Sequence, residues 1–138
     1  MANRVEFELV SPEKLMLSEP VDMVVVPGEE GDFGVLPGHA PMISTVRSGV
    51  IAVFEGKTVK QRIFVAGGFA EVTPTRCTVL AEVAEPMEGL DRAEVERRIS
   101  VSQGELAEAA TDDVRTYVAS RLEAERALLK AIDRPVYQ

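Results

Sequence analysis

Apolar and polar residues alternate over the first part of the chain in the pattern of β-strands. Val5, Phe7 and Leu9 alternate with Glu6 and Glu8, and a period of two gives a strand one buried and one wet face. Short apolar runs of this kind recur, and turn-forming pairs separate several of them: Pro27-Gly28, Pro37-Gly38 and Gly67-Gly68. The spacing predicts roughly nine or ten short strands, as in an all-β sandwich or barrel, up to about residue 84.

Sheets packed face to face enclose an apolar interior. Each enclosed side chain contributes roughly 1.5–3 kcal/mol before conformational entropy is subtracted. The positions expected inside are Phe7, Leu9, Val25, Phe54, Ile63 and Leu80. Because no stretch of helical period separates the strands, parallel strand–helix–strand units are not expected.

Helical periodicity replaces the strand pattern in the last third of the chain. Asp91 is expected to cap a first helix, with Glu94 reaching back to the cap. Val95 and Ile99 share the apolar face of this helix. Gly104 is a weak helix former, so the helix is expected to be short and to end near it.

A second helix is predicted from Thr111, because a threonine followed by two acidic residues is favourable at a helix N-terminus. Its apolar stripe consists of Val114, Tyr117, Val118, Leu122, Leu128, Leu129 and Ile132. Arg121 and Glu125 are expected to form an i,i+4 ion pair on the exposed side. The fold prediction is therefore a β-sandwich over residues 1–85, followed by an antiparallel two-helix hairpin over residues 86–138.

Composition supports this division and disfavours several functions. All five phenylalanines and eight of the ten glycines precede residue 70. A net charge of −8 disfavours nucleic-acid binding, which rests on basic patches. Apolar runs are far shorter than the ~20 residues of a spanning helix, and the N-terminus lacks the basic-then-apolar layout of a secretory signal. We therefore expect a cytosolic protein, and a single cysteine agrees with a reducing compartment.

Candidate catalytic chemistry is sparse. The chain has one thiol, Cys77, and one imidazole, His39, which leaves a cysteine–histidine dyad formally open. Cys77 begins an apolar strand and His39 follows a Pro-Gly turn, so core packing and a contact role are the favoured interpretations. Cys and His are too few for a zinc site. Gly28, Gly31 and Gly34 lack the spacing of a phosphate-binding loop, so the residues indicate a binding or structural protein without a cofactor.

Three segments carry a resemblance to a known family. Residues 26–41, Val-Pro-Gly-Glu-Glu-Gly-Asp-Phe-Gly-Val-Leu-Pro-Gly-His-Ala-Pro, resemble a signature of the epsilon subunit of bacterial rotary, proton-driven ATP synthases. Residues 67–72 and 78–83 resemble its second and third signatures. The resemblance covers about residues 4–85 and continues more loosely to about residue 132. It implies a β-sandwich followed by a two-helix hairpin.

The resemblance also implies a function. Epsilon subunits bind the gamma subunit, rest on the membrane ring of c subunits and rotate with both, while ATP is made in the catalytic alpha/beta head. We therefore expect a non-catalytic rotor subunit that couples ring rotation to ATP synthesis, peripheral on the cytoplasmic face of the bacterial inner membrane. In some members the hairpin extends towards the head and blocks ATP hydrolysis.

Family contacts carry over to particular positions. Those that match the loop facing the c ring are Glu29, Glu30, Gly31 and Asp32. Asp32 is the best candidate, because an acidic residue complements basic ring loops. Those that match gamma contacts are Ser11, His39, Ser44 and Ala66. Core packing is the alternative for Ala66, and a permanent interface with gamma predicts an exposed apolar patch on the isolated chain.

The alternative function is a nucleotide-sensing module, since the hairpin of some members binds ATP without hydrolysing it. Candidate contacts are Asp91, Arg92, Arg97 and Arg98. The family pattern is Ile/Leu-Asp-x-x-Arg-Ala, whereas Arg92-Ala93 here follows Leu90-Asp91 directly. With this departure and a short first helix, we expect a coupling subunit with weak or absent self-inhibition.

Overall fold

The computed structural model describes residues 3–137. They form two compact units: one extends to Met87 and includes Val136 and Tyr137, and the other runs from Glu88 to Pro135. The first unit contains the strands and the second contains the helices. Neither helix has the length and apolar character that would let it span a membrane.

Eight strands form the first unit within the described residues. They are β1 (Val5–Val10), β2 (Leu15–Val21), β3 (Met23–Gly28), β4 (Gly31–Val35), β5 (Met42–Thr45), β6 (Gly49–Glu55), β7 (Thr58–Val72) and β8 (Arg76–Pro86). Their order is β2-β1-β8-β7-β6-β3-β4, and β5 pairs with β7 outside this path. β1 runs parallel to β8, while the other pairs are antiparallel. The predicted sandwich is confirmed, but nine or ten strands was too many.

The excess strand arose from Gly67 and Gly68, which bend β7 and do not end it. Before these glycines β7 pairs with β6, after them it pairs with β5, and its register with β8 is constant throughout. The core-facing residues of β7 have odd numbers before the bend, such as Val65, and even numbers after it, such as Ala70. One bent strand thus contributes to both layers, which is how a single sheet turns the corner of a sandwich.

The space between the layers is filled by buried apolar residues of all the longer strands, among them Phe7, Leu9, Val24, Ile51, Val65 and Val79. Four predicted core residues are buried: Phe7, Leu9, Val25 and Ile63. Phe54 is only half-buried. The prediction for Leu80 was wrong, since it is 39% exposed. Val79 and Ala81 occupy the inward positions of this stretch of β8, which leaves Leu80 on the outer face.

The second unit is a pair of helices, α1 (Arg92–Ala107) and α2 (Asp112–Asp133). The carboxylate of Asp91 caps α1, and the hydroxyl of Thr111 caps α2, as predicted. Glu94 does not close a capping box, because its carboxylate pairs with Arg97 and Arg98.

The expectation of a short α1 was wrong. The helix passes through Gly104 and has 16 residues. A glycine costs about 1 kcal/mol in a helix relative to alanine, which is not enough to end a helix that neighbouring contacts hold. Helix length therefore gives no support to weak self-inhibition.

Polar contacts hold the two helices antiparallel. Arg92 at the start of α1 donates to Asp133 at the end of α2, at 2.8 and 3.2 Å. Buried Ser102 donates to Glu125 at 2.5 Å and accepts from Arg121 Nε at 3.1 Å. Arg121 and Glu125 were predicted to pair with each other on the exposed side. Both instead turn to Ser102, because a buried hydroxyl needs partners.

Burial of apolar side chains contributes little to the stability of the helical hairpin. Its buried apolar residues are Val95, Val118, Leu122 and Leu128. Val114 and Tyr117, which were predicted to extend this stripe, are 47% and 68% exposed. The Tyr117 ring lies 5.9 Å from the Arg121 guanidinium carbon, a cation–π contact on the surface.

The bend in β7 generates a testable prediction at Gly68. This residue has a φ of 111°, and an added Cβ would lie 1.8 Å from the carbonyl oxygen of Leu80. Gly68→Ala should therefore lower the free energy of unfolding by more than about 2 kcal/mol, measured by urea unfolding with circular dichroism. Gly104→Ala is the matched control. It has open space around the new Cβ and should stabilise the helical unit by about 0.5–1 kcal/mol. An unchanged midpoint for Gly68→Ala would contradict the role of the bend.

Candidate functional site

The acidic turn, Glu29 to Asp32, is the tip of the hairpin between β3 and β4. Gly28 pairs with Gly31, so Glu29 and Glu30 form a two-residue loop. Both glutamates are exposed, and neither side chain has a hydrogen bond or ion pair with residues 3–137. Gly31 has a φ of 141°, a value that favours glycine. The tip therefore presents two uncompensated negative charges on a tight turn.

Asp32 lies one residue beyond the tip and is held from within the protein. Its Oδ1 is 2.5 Å from Nη2 of Arg47, and its Oδ2 accepts a hydrogen bond of 2.5 Å from the Tyr137 hydroxyl. Arg47 also donates to the carbonyl oxygen of Gly28 at 2.6 Å. Sequence reasoning singled out Asp32 but missed Arg47 and Tyr137, because nothing local in the sequence connects them with the turn.

The predicted gamma contacts do not converge on one point. Ser11 lies in the turn after β1, where its hydroxyl donates to the carbonyl oxygen of Lys14 at 3.3 Å. His39 lies in the loop between β4 and β5, and its Nδ1 donates to the carbonyl oxygen of Ala40 at 2.7 Å. A carbonyl oxygen only accepts, so the proton of the ring is on Nδ1 in this arrangement.

Of the other two predicted gamma contacts, Ser44 is half-buried and Ala66 is buried. Ser44 on β5 pairs with core residue Ala70 on β7, and its hydroxyl donates to the carbonyl oxygen of Thr45 at 3.0 Å. Ala66 on β7 is 6% exposed. Direct contact of a partner with Ala66 is therefore limited. An interface with gamma predicts an exposed apolar feature, but sequence reasoning did not say which strands carry it.

That feature is an apolar row across the outer face of five strands. Directly paired residues share a face of a sheet, and the pairings connect Thr45, Phe69, Leu80, Val10 and Leu15 in this order.

Three members of the row, Leu15, Phe69 and Leu80, are 56%, 45% and 39% exposed. Ile43, two residues from Thr45 on the same face, is 71% exposed. Charged residues border the row on this face, including the Glu8–Arg76 ion pair of 2.8 Å. An apolar centre with a polar border is the usual anatomy of a protein interface.

The candidate nucleotide contacts are engaged with acidic residues of the same helical unit. Asp91 serves as the cap of α1. Arg92 pairs with Glu96 and Asp133, and these partners raise its pKa further above its usual range. Arg97 and Arg98 both pair with Glu94. A phosphate would have to displace a carboxylate from each guanidinium.

The cysteine–histidine dyad finds no support in the fold. Cys77 points into the core from β8, whereas His39 lies in a surface loop. Burial raises the pKa of the Cys77 thiol to about 12, which suppresses the nucleophilic thiolate. Within residues 3–137, no cluster of His, Cys, Asp and Glu is suited to hold a metal ion.

The position of Cys77 predicts very slow alkylation of the native protein. A pKa raised from 9.0 to about 12 lowers the thiolate fraction about a thousandfold, and burial blocks access in addition. Iodoacetamide labelling at neutral pH, followed by mass spectrometry, should give native labelling at least about a hundredfold slower than labelling in urea. Equal rates in the two states would show that Cys77 is a reactive surface thiol.

Comparison with known proteins agrees with the fold. A family model described as "ATP synthase, Delta/Epsilon chain, beta-sandwich domain" matches residues 4–87. Two solved structures are similar in fold. A chain of the Euglena gracilis mitochondrial ATP synthase (OSCP/F1/c-ring) has a TM-score of 0.75 at 22% identity, over 96% of this chain and 83% of that one. A chain of the Tetrahymena thermophila central stalk and c-ring has a TM-score of 0.61 at 20% identity, over 92% and 95%.

Curated relatives match nearly the whole chain. The ATP synthase epsilon chain of Rhodospirillum centenum is 56% identical over 137 residues, which cover 96% of this chain and 94% of the relative. That of Rhodospirillum rubrum is 52% identical over 131 residues, which cover 95% and 98%. At this identity and coverage, the chain belongs to the family of ATP synthase epsilon chains.

Proposed function

We propose that the chain is a non-catalytic rotor subunit of a proton-driven ATP synthase, which couples rotation of the c ring to ATP synthesis by binding gamma and the ring. The observation that carries the proposal is the exposed apolar row on the outer face of the sandwich, in a chain of the epsilon family. The proposed location is peripheral, in a membrane-associated complex on the cytoplasmic face of the bacterial inner membrane.

The apolar row is the proposed contact with gamma. A rotor joint must persist while torque passes through it, and apolar burial gives a contact that salt does not screen. The side chains of Ile43, Phe69 and Leu80 stand on paired strands, so the surface is already in place before binding and little entropy is lost on ordering it. Ser11 and His39 lie in turns and are proposed rim contacts, together with half-buried Ser44 and buried Ala66.

The acidic turn is the proposed contact with the c ring. Glu29 and Glu30 carry uncompensated charge at the tip of a short hairpin, and Gly31 and Asp32 complete the turn. Charges of opposite sign on the ring loops would fix the register of the two surfaces. Such a contact is weaker than the apolar row and depends on ionic strength.

The nucleotide-sensing alternative has less support. All three candidate arginines already pair with carboxylates. The Arg97–Glu94 pair lies within α1, whereas the Arg92–Asp133 pair joins α1 to α2. Contact of the helical unit with the alpha/beta head stays a proposal that rests on family resemblance alone.

The proposed gamma contact predicts the effect of substitutions in the apolar row. Phe69→Ser with Leu80→Ser should weaken binding to purified gamma at least about thirtyfold, since two apolar side chains of a central patch are lost. Surface plasmon resonance with the full chain measures this. Urea unfolding should change little, because both residues are exposed. Val101→Ser is the control: Val101 is 54% exposed on α1, and its substitution should leave gamma binding intact. Unchanged affinity of the double variant would refute the row as the interface.

The pairing of the arginines predicts weak nucleotide binding. Isothermal titration of the full chain with ATP should show no saturable binding with a millimolar or tighter Kd, a threshold of about −4 kcal/mol. Saturable binding that Arg98→Ala abolishes, and that Arg115→Ala leaves intact, would favour the nucleotide-sensing function.

A further inference from the structure

Tyr137 follows the helical unit in sequence but belongs to the β unit, where three contacts fix it. Its hydroxyl donates to Oδ2 of Asp32 at 2.5 Å. Its ring is edge-on to that of Phe54, with centroids 6.2 Å apart, and its carbonyl oxygen accepts from Arg62 Nη1 at 2.9 Å. Its φ of 56° is uncommon for a residue with a side chain, so these contacts hold a backbone conformation that the chain alone disfavours.

The Asp32 carboxylate thereby has a donor on each oxygen. Arg47 occupies Oδ1 and Tyr137 occupies Oδ2. A basic side chain from a partner that binds Asp32 would have to share a carboxylate oxygen with Arg47 or Tyr137. Asp32, Glu29 and Glu30 are all exposed, but the two glutamates have no side-chain donor among residues 3–137.

The same contacts fix the base of the acidic turn. Asp32 is paired with Pro27 across the hairpin, and the Arg47 amide donates to the Pro27 carbonyl oxygen at 2.9 Å. The Arg47 guanidinium reaches Gly28 on the same strand. Since Arg47 binds Oδ1 of Asp32 and Tyr137 binds Oδ2, the two residues together fix Asp32 at the base of the turn.

We propose that Tyr137 is a positioning residue of the acidic turn: it holds Asp32 against Arg47, so that Glu29 and Glu30 are the carboxylates that bind a basic partner loop. The proposal rests on the proposed function, which supplies the c-ring loop as the partner. It changes the role of Asp32 from a direct contact to an internal anchor.

The first experiment tests the Tyr137–Asp32 contact without any partner. The chain has two tyrosines, so Tyr117→Phe leaves Tyr137 as the one phenol to titrate. The hydrogen bond to Asp32, then desolvation, raises the pKa of Tyr137 from 10.0 to about 12, while Arg47 opposes the shift. The contact is thus complete below pH 10.0 and is lost as the pH rises through about 12.

In the Tyr117→Phe protein, Asp32→Asn should move the pKa of Tyr137 back towards 10.0. The titration is measured by tyrosinate absorbance, and circular dichroism shows whether the fold persists. At neutral pH, Tyr137→Phe should raise amide hydrogen exchange of residues 29–33 about fivefold, the effect of one lost hydrogen bond. Tyr117→Phe alone should leave this exchange unchanged. The positioning role is overturned if Asp32→Asn leaves the pKa of Tyr137 unchanged and Tyr137→Phe leaves the amide hydrogen exchange of residues 29–33 unchanged.

The second experiment tests which carboxylates bind the partner. Full-length variants are assembled into the complete ATP synthase, and ATP-driven proton pumping is followed as salt is raised. Glu29→Gln with Glu30→Gln should lower the salt concentration at which coupling fails. Asp32→Asn and Tyr137→Phe should each give a smaller loss, and their combination should be no worse than Asp32→Asn alone, because both disrupt the Tyr137–Asp32 contact.

Glu55→Gln is the charge control, since Glu55 is exposed at the end of β6 and the loss of its charge should change nothing. Direct contact by Asp32 is favoured, and the proposal is overturned, if Asp32→Asn lowers the salt tolerance of coupling more than the double glutamate variant does and if its effect adds to that of Tyr137→Phe. If no charge variant alters coupling while the titration still links Tyr137 to Asp32, the ring contact of the proposed function fails, and the partner role of Glu29 and Glu30 fails with it.

Discussion

The bend at Gly67 and Gly68 is the constraint on which the β unit depends. It lets β7 and β8 contribute to both layers, so that one continuous sheet encloses its own core. The bend also brings the Leu80 carbonyl oxygen so close that no Cβ fits at Gly68. Because Phe69 and Leu80 are paired directly beside this point, the geometry of the corner also determines where the apolar row lies on the outer face.

The two units are stabilised by different interactions. The sandwich has a large core that includes fully buried Phe7, Leu9 and Ile51, which dispersion and the hydrophobic effect hold independently of salt. The hairpin buries few apolar side chains and relies on pairs such as Arg92–Asp133 and on the buried Ser102. Exposed ion pairs contribute little each and are screened by salt. A stable platform and a helical pair of lower local stability are therefore built into one chain.

Sequence reasoning succeeded where the information is local. The alternation in β1, the caps at Asp91 and Thr111 and most core positions follow from residues a few places apart. It failed where strand register decides which face of the sheet a residue occupies. Leu80 lies on the outer face because Val79 and Ala81 face the core. The contacts of Asp32 were also out of reach, because Arg47 and Tyr137 lie 15 and 105 residues away in sequence.

The candidate site combines two surfaces with different physical behaviour. As the proposed contact with gamma, the apolar row would gain affinity from desolvation, which suits a contact that is made once and kept. The proposed contact at Glu29 and Glu30 would act by Coulomb attraction, which orients the two surfaces before they touch. Attraction by free charge is useful only if its position is fixed. The donors on Asp32 fit this proposal, because Arg47 balances the charge of Asp32 and Tyr137 holds its other oxygen, while Glu29 and Glu30 keep their charges unpaired.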